Sequence, residues 1–176
     1  QFNDKYPNVD PVTGNTLRPT PFYTREIDWT TSQFINDSPL PTVNLTRVFI
    51  LATENTCSAS EAVINGLRGI DVEVVLIGST TCGKPYGFYP TDNCSTTYFT
   101  IQFQGVNAKG FGEYSEGFLP VTSPEFNDQL PGCTVTDDFT QVLGNEHEAL
   151  SVAALGHAGL GVCTRQITPG NTIVQN

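Results

Sequence analysis

Over residues 1–45 the apolar positions follow no period, and Pro, Asn, Thr and Asp dominate. "DPVTGN" at 10–15 and "NDSPLPT" at 36–42 are turn signals. This quarter of the chain reads as an extended arm or surface loop packing on the core, with short strands around Phe22 to Trp29. Trp29 fits an anchor onto the rest of the domain better than a ligand platform.

Order begins at "RVFILAT", 47–53, a continuous apolar run of strand length that fits a strand buried on both faces. "SASEAVINGLRG", 58–69, places Ala59, Ala62, Val63, Ile64 and Leu67 at helical spacing and offers Gly69 as a stop. "VEVVLIG", 72–78, is a second apolar run. Strand, helix and strand in this order predict a βαβ unit with parallel strands and a right-handed crossover. Farther on, "YFTIQFQG", 98–105, alternates like a strand, 107–118 is a Gly-rich turn, and 120–133 reads as loop. Two helices are expected over roughly 136–143 and 146–158, with Gly144 between them. The organised core is expected over 46–162, and the polar tail 163–176 is expected to be loose.

Composition narrows the classes. The chain has 176 residues, 38% hydrophobic and 15% charged, which suits a globular domain. Eighteen acidic residues against 8 basic ones give a net charge of −10, which repels phosphate backbones and argues against a nucleic-acid partner. No apolar run approaches membrane-spanning length. A chain that begins at Gln1, contains no Met and shows no leader is expected to be a mature piece or a cut fragment. The five cysteines, Cys57, Cys82, Cys94, Cys133 and Cys163, show no paired metal-ligand spacing, so neither a metal nor a cofactor is expected. With low Lys, they suggest an extracytoplasmic location, periplasmic or in the cell envelope, where disulfides form and an odd count leaves at least one thiol over.

Topology brings candidate chemistry together. In a parallel sheet the loops leaving the carboxyl ends of the strands share one edge. Here they are "TENTCS" and "STTCGKP", carrying Cys57, Ser58 and Ser60 in one and Ser79, Thr80, Thr81, Cys82 and Lys84 in the other. Ser58 and Glu61 form a capping box, which by itself explains a serine there. The same position lies beside free helix-start amides, so the backbone amide of Ala59 suits an oxyanion. A nucleophile needs a base. His147 and His157 are both placed in the last helix. Lys84, among Pro85, Tyr86 and Phe88, would lose solvation and become able to accept a proton; the alternative is a solvated loop lysine. Tyr86 and Phe88 are candidates to line a substrate cleft, or to pack the loop. Cys57 and Cys82 fit either a disulfide pinning the two loops or a buried thiol pair. Glu113 and Glu116 fit solvated turn residues better than a carboxylate pair.

Together, Ser58-Ala59-Ser60-Glu61, the hydrophobic strand ending at Gly78, Gly83-Lys84 and "EGFLP" at 116–120 resemble the core of the tail-specific, or carboxyl-terminal processing, serine peptidases. The resemblance spans roughly 46–160. It implies a crotonase-like α/β fold, Ser58 as nucleophile, Lys84 as base, a structural Ser60 and a polypeptide substrate. Two features depart from the family pattern. Phe88 stands where Ser–Lys members often carry glutamine, so other groups would orient Lys84, or a Ser–His–Glu arrangement would apply. The upstream Asp-Leu-Arg segment with its Asn-Gly-Gly turn, and a PDZ-like domain, are absent from these 176 residues. The expectation is the carboxyl-terminal part of a longer serine endopeptidase. The rivals are a non-catalytic peptide-binding or scaffold module of the same fold, and an unrelated α/β domain in which Ser58 only caps its helix. Oligomeric state is left open.

Overall fold

The computed structural model describes residues 1–163 apart from Asn3, Thr20 and Leu143, with Ser38 described by its backbone alone. The elements in chain order are β1 (Arg25–Asp28), β2 (Gln33–Pro39), β3 (Arg47–Ala52), α1 (Ala59–Gly69), β4 (Glu73–Gly78), β5 (Tyr86–Gly87), β6 (Thr91–Asn93), β7 (Thr96–Tyr98), β8 (Phe103–Gln104), β9 (Leu119–Val121), β10 (Gln129–Thr134) and α2 (Ala149–Leu160). The fold is α/β. Its centre is a four-stranded sheet in the order β3-β4-β10-β9, every neighbouring pair parallel.

β4 is the middle of the molecule because its side chains are apolar on both faces. Val74 and Leu76 join Ala52, Ile64, Tyr114, Phe118 and Leu130 on the α1 side. Val75 and Ile77 join Leu150 and Ala153 on the α2 side. The expected βαβ unit forms, with β3 and β4 paired from Arg47↔Glu73 to Ala52↔Gly78. β3 is nevertheless an edge strand rather than one buried on both faces, and Leu51 is 40% exposed. The buried face of α1 is less apolar than its spacing suggested: Glu61, Ile64, Asn65 and Gly69 are buried, while Ala59, Ala62 and Val63 are exposed. Asn65 donates to the carbonyl of Phe111 at 2.8 Å and accepts from Asn107 at 3.0 Å, so a polar side chain ties the helix to the Gly-rich turn.

Several sequence expectations are corrected. Residues 120–133, read as loop, contain most of β9 and β10. Pro120, Pro131 and Gly132 look like breakers, but Gly132 (φ +148°) is required: a Cβ there would meet the Leu76 carbonyl oxygen at 1.8 Å. The single strand expected over 98–105 is divided between two small sheets. Tyr98 pairs with Thr91 in the β6–β7 hairpin, and Phe103–Gln104 pairs with Tyr86–Gly87. The helix expected at 136–143 is absent from the described residues, where Asp138 instead accepts from the amide and hydroxyl of Thr140 in a turn. α2 starts later than expected, capped by Glu148, whose carboxylate accepts from the amides of Leu150 and Ser151.

In the arm, β1 and β2 form an antiparallel hairpin. Trp29 sits at its turn, 75% exposed and edge-on to Tyr23, and does not anchor the arm. The anchors are Phe2, bridged to Phe103, and Asp10, whose carboxylate accepts from the Tyr89 hydroxyl at 2.7 Å. Cys163, expected in a loose tail, is disulfide-bonded to Cys133 at the end of β10 (Cα–Cα 6.2 Å). The remaining tail, 164–176, lies outside the described residues. No helix among the described residues is long and apolar enough to cross a membrane.

Candidate active site

β3 and β4 end in register, so the segments after Ala52 and Gly78 leave the same edge side by side. The amide of Ser79 donates back to the Ala52 carbonyl at 2.9 Å, and the amide of Cys82 donates to the Thr56 carbonyl at 3.0 Å. Cys57 and Cys82 form a disulfide across the two loops (Cα–Cα 5.2 Å), resolving the sequence alternatives in favour of the bridge. Cys94 is the free, exposed cysteine.

The organising side chain is Glu61, which is fully buried. Its Oε2 accepts from the Ser58 amide at 2.9 Å, the expected carboxylate half of the capping box. The same oxygen accepts from the Lys84 amide at 2.8 Å. Its Oε1 accepts from the Thr81 hydroxyl at 2.6 Å and the Gly83 amide at 2.7 Å. Four donors compensate the burial of the carboxylate and fix the second loop to the start of α1. Burial and the negative charge of Glu61 push the Tyr114 phenol up from its ordinary range. Thr81 Oγ1 also accepts from the Phe118 amide at 2.8 Å, joining the Gly-rich turn to the cluster. Gly83 has φ +77°, and a Cβ there would meet the Ser115 carbonyl oxygen at 2.1 Å, so this approach requires glycine. Sequence reasoning saw Glu61 only as a cap. Its other partners lie twenty or more residues away, where no local pattern reveals them.

Ser58 is the N-cap of α1 with φ 52°, ψ −104°, a conformation rare for a residue with a side chain. It is exposed, as are Ala59 and Ser60. The Ala59 amide is in the first turn, where helix amides have no intrahelical acceptor. Lys84 is exposed rather than desolvated among its aromatic neighbours, because only its backbone is drawn inward to Glu61. No hydrogen bond joins the side chains of Ser58 and Lys84 among the described residues. Tyr86 and Phe88 are 41% and 48% exposed, and Phe88 packs edge-on to Phe99 with ring centroids 5.4 Å apart.

The other candidates have different roles. His157 packs edge-on to Phe49 of β3 on the α2 side of the sheet, and His147 is at the surface beside Glu146. Glu113 accepts from Gln104 at 2.8 Å, and Glu116 is exposed, so they form no working pair. Among the described residues no His, Cys, Asp or Glu group could hold a metal ion.

This edge presents an exposed serine at a helix N-terminus and a lysine in the adjoining loop, with their backbones fastened to one buried carboxylate. No family model and no curated protein matches the chain. Among solved structures it is similar to a crystal structure described as "Putative S41 protease" from Bacteroides fragilis. The two are 27% identical with a TM-score of 0.53, over 66% of this chain and 28% of the other. This chain therefore corresponds to little more than a quarter of that protein's length.

Proposed function

We propose that this chain is part of a serine endopeptidase that hydrolyses peptide bonds through Ser58 and Lys84. The observation that carries the reading is the shared acceptor: one oxygen of Glu61 takes the amides of both residues, so the two loops are built as a unit. The backbone strain at Ser58 supports it, since such conformations cluster at working sites. The likeness to the Bacteroides fragilis protein supports a peptidase of the same general kind.

In the proposed reaction the Ser58 hydroxyl attacks the substrate carbonyl while neutral Lys84 takes its proton. The carbonyl oxygen gains charge, and the Ala59 amide donates to it. Lys84 then protonates the leaving amine, and water hydrolyses the acyl-enzyme. Tyr86 and Phe88 would contact substrate side chains. Closing of the cleft around a polypeptide would desolvate Lys84, which the free chain leaves exposed. On this reading the fold is the crotonase-like one of the tail-specific peptidases, and a longer protein supplies a second oxyanion donor. Without that donor the rate would fall on the order of a hundredfold to a thousandfold. The two disulfides fit an extracytoplasmic location.

Replacing Ser58 by Ala and Lys84 by Ala, each in the full-length protein, tests the reading. Each should slow degradation of an unstructured polypeptide by about 10²-fold or more. Degradation at the original rate means the dyad is wrong. A second reading, a peptide-binding module without catalysis, is favoured by Phe88 at the position of the family's glutamine and by the absence, among the described residues, of a hydrogen bond between the Ser58 and Lys84 side chains. It predicts peptide binding that survives both substitutions.

A further inference from the structure

We infer that the Cys57–Cys82 disulfide is a redox control on the Ser58–Lys84 site, holding it in working geometry only while oxidised. The inference rests on reading these loops as a peptidase site.

The bridge lies inside the site. Cys57 immediately precedes Ser58, and Cys82 stands two residues before Lys84. It joins the loop at the end of β3 to the loop at the end of β4, the two segments whose separation sets the distance between serine and lysine. Ser58 is held at φ 52°, ψ −104°, whereas an N-cap ordinarily has extended backbone. A strained residue persists only when its surroundings over-determine it. Here two restraints converge on its amino-terminal side: the amide of Ser58 donates to Glu61, and the preceding residue is covalently bound to Cys82. Cutting the bridge leaves the Glu61 bonds and the Cys82 amide to Thr56 carbonyl bond, and Ser58 can relax toward an ordinary cap.

Both cysteines are partly exposed, so a small dithiol can reach them. One thiolate of the dithiol attacks a bridge sulfur, forming a mixed disulfide and releasing the other cysteine as a thiolate, which takes a proton. The dithiol's second thiol then displaces the remaining cysteine. Two electrons and two protons pass to the protein, leaving two cysteine thiols and a cyclic disulfide in the reductant. Cys133–Cys163 ties the end of β10 to the residues after α2 and packs in the cluster on the α2 side of the sheet, so it provides an internal control.

The test uses the full-length protein carrying Cys94→Ser, which removes the free thiol that could reshuffle the bridges. Amide hydrogen exchange at Ser58, Gly83 and Lys84 and turnover of an unstructured polypeptide are followed before dithiothreitol treatment, during it and after reoxidation. The expected result is roughly tenfold or faster exchange at these amides and a comparable, reversible fall in turnover. Cys57→Ser/Cys82→Ser should mimic the reduced state, and Cys133→Ser/Cys163→Ser should leave the redox response intact. Unchanged exchange and turnover on reduction would overturn the inference, as would a response that survives loss of Cys57 and Cys82. Should that double variant fail to fold, reversible reduction in the Cys133→Ser/Cys163→Ser background decides the matter. If exchange responds but neither redox state turns over substrate, the restraint stands and the peptidase reading fails.

Discussion

The backbone amides of Ser58 and Lys84 donate to the same carboxylate oxygen, Glu61 Oε2, at 2.9 Å and 2.8 Å. Two residues from different loops are thereby positioned by their main chains, leaving the side chains of the serine and the lysine exposed at the surface. The helix that begins at Ser58 also carries the clamp, so helix start, loop spacing and candidate chemistry form one unit.

Glu61→Gln should therefore damage more than a helix cap. A glutamine offers one acceptor oxygen and an NH2 group, so the donors now facing one carboxylate oxygen lose their partner. Each buried donor left unsatisfied costs about 1–3 kcal/mol. Urea unfolding should show a loss of at least about 2 kcal/mol. A loss below about 0.5 kcal/mol, the size of an ordinary surface substitution, would contradict the clamp.

Gly83→Ala introduces a Cβ 2.1 Å from the Ser115 carbonyl oxygen at a residue with φ +77°. Relief requires the 80–84 loop to withdraw from the Gly-rich turn. Thermal unfolding should show destabilisation of about 1–3 kcal/mol, with loss of exchange protection at Phe118, whose amide is held by Thr81. A variant of wild-type stability would mean the two loops are not tightly docked.

The arm should hold to the core over a defined pH window. Burial raises the Asp10 carboxyl, but the Tyr89 hydroxyl and the amides of Val12 and Thr13 outweigh it and hold the pKa at about 2, below the ordinary 3.8. A depressed carboxyl stabilises the folded state above its unfolded pKa and loses that contribution as pH falls toward 2. The Tyr89 phenol is raised from 10.0, chiefly by its bond to Asp10, so its contribution is complete below pH 10 and is lost as pH climbs through the raised value. Carbon-detected NMR titration should place the Asp10 midpoint near 2, and Tyr89→Phe should return it toward 3.8. A wild-type midpoint at 3.8 would contradict the contact.

Ile64→Ala and Val63→Ala test which side of α1 faces the sheet. Ile64 is fully buried, and its truncation should cost about 2–5 kcal/mol. Val63, 55% exposed, should cost under about 0.5 kcal/mol. Equal losses in denaturant unfolding would mean the helix is rotated from the position described.

The sheet centre was legible because "RVFILAT" and "VEVVLIG" are uninterrupted apolar runs, and the meeting of the Ser58 and Lys84 loops followed from their parallel pairing. β10 was not, because Pro131 and Gly132 are ordinarily punctuation, whereas here glycine is what lets the strand approach Leu76. The turn at Asp138 mimics a helical stretch, but its carboxylate satisfies the local amide that a helix would have used. Glu61 was half legible: the cap is a local pattern, while the contacts with Thr81, Gly83 and Lys84 depend on tertiary folding. The exposure of Lys84 was hidden for the same reason, since aromatic neighbours in sequence need not bury a side chain whose backbone alone is drawn inward.

The most direct test of the central claim is reaction of the full-length protein with a fluorophosphonate, followed by mass mapping of the modified residue. The account predicts a single modified serine, Ser58, with labelling slowed about 10²-fold or more by Lys84→Ala. Modification at another residue, or labelling of Ser58 at an unchanged rate without Lys84, would contradict it.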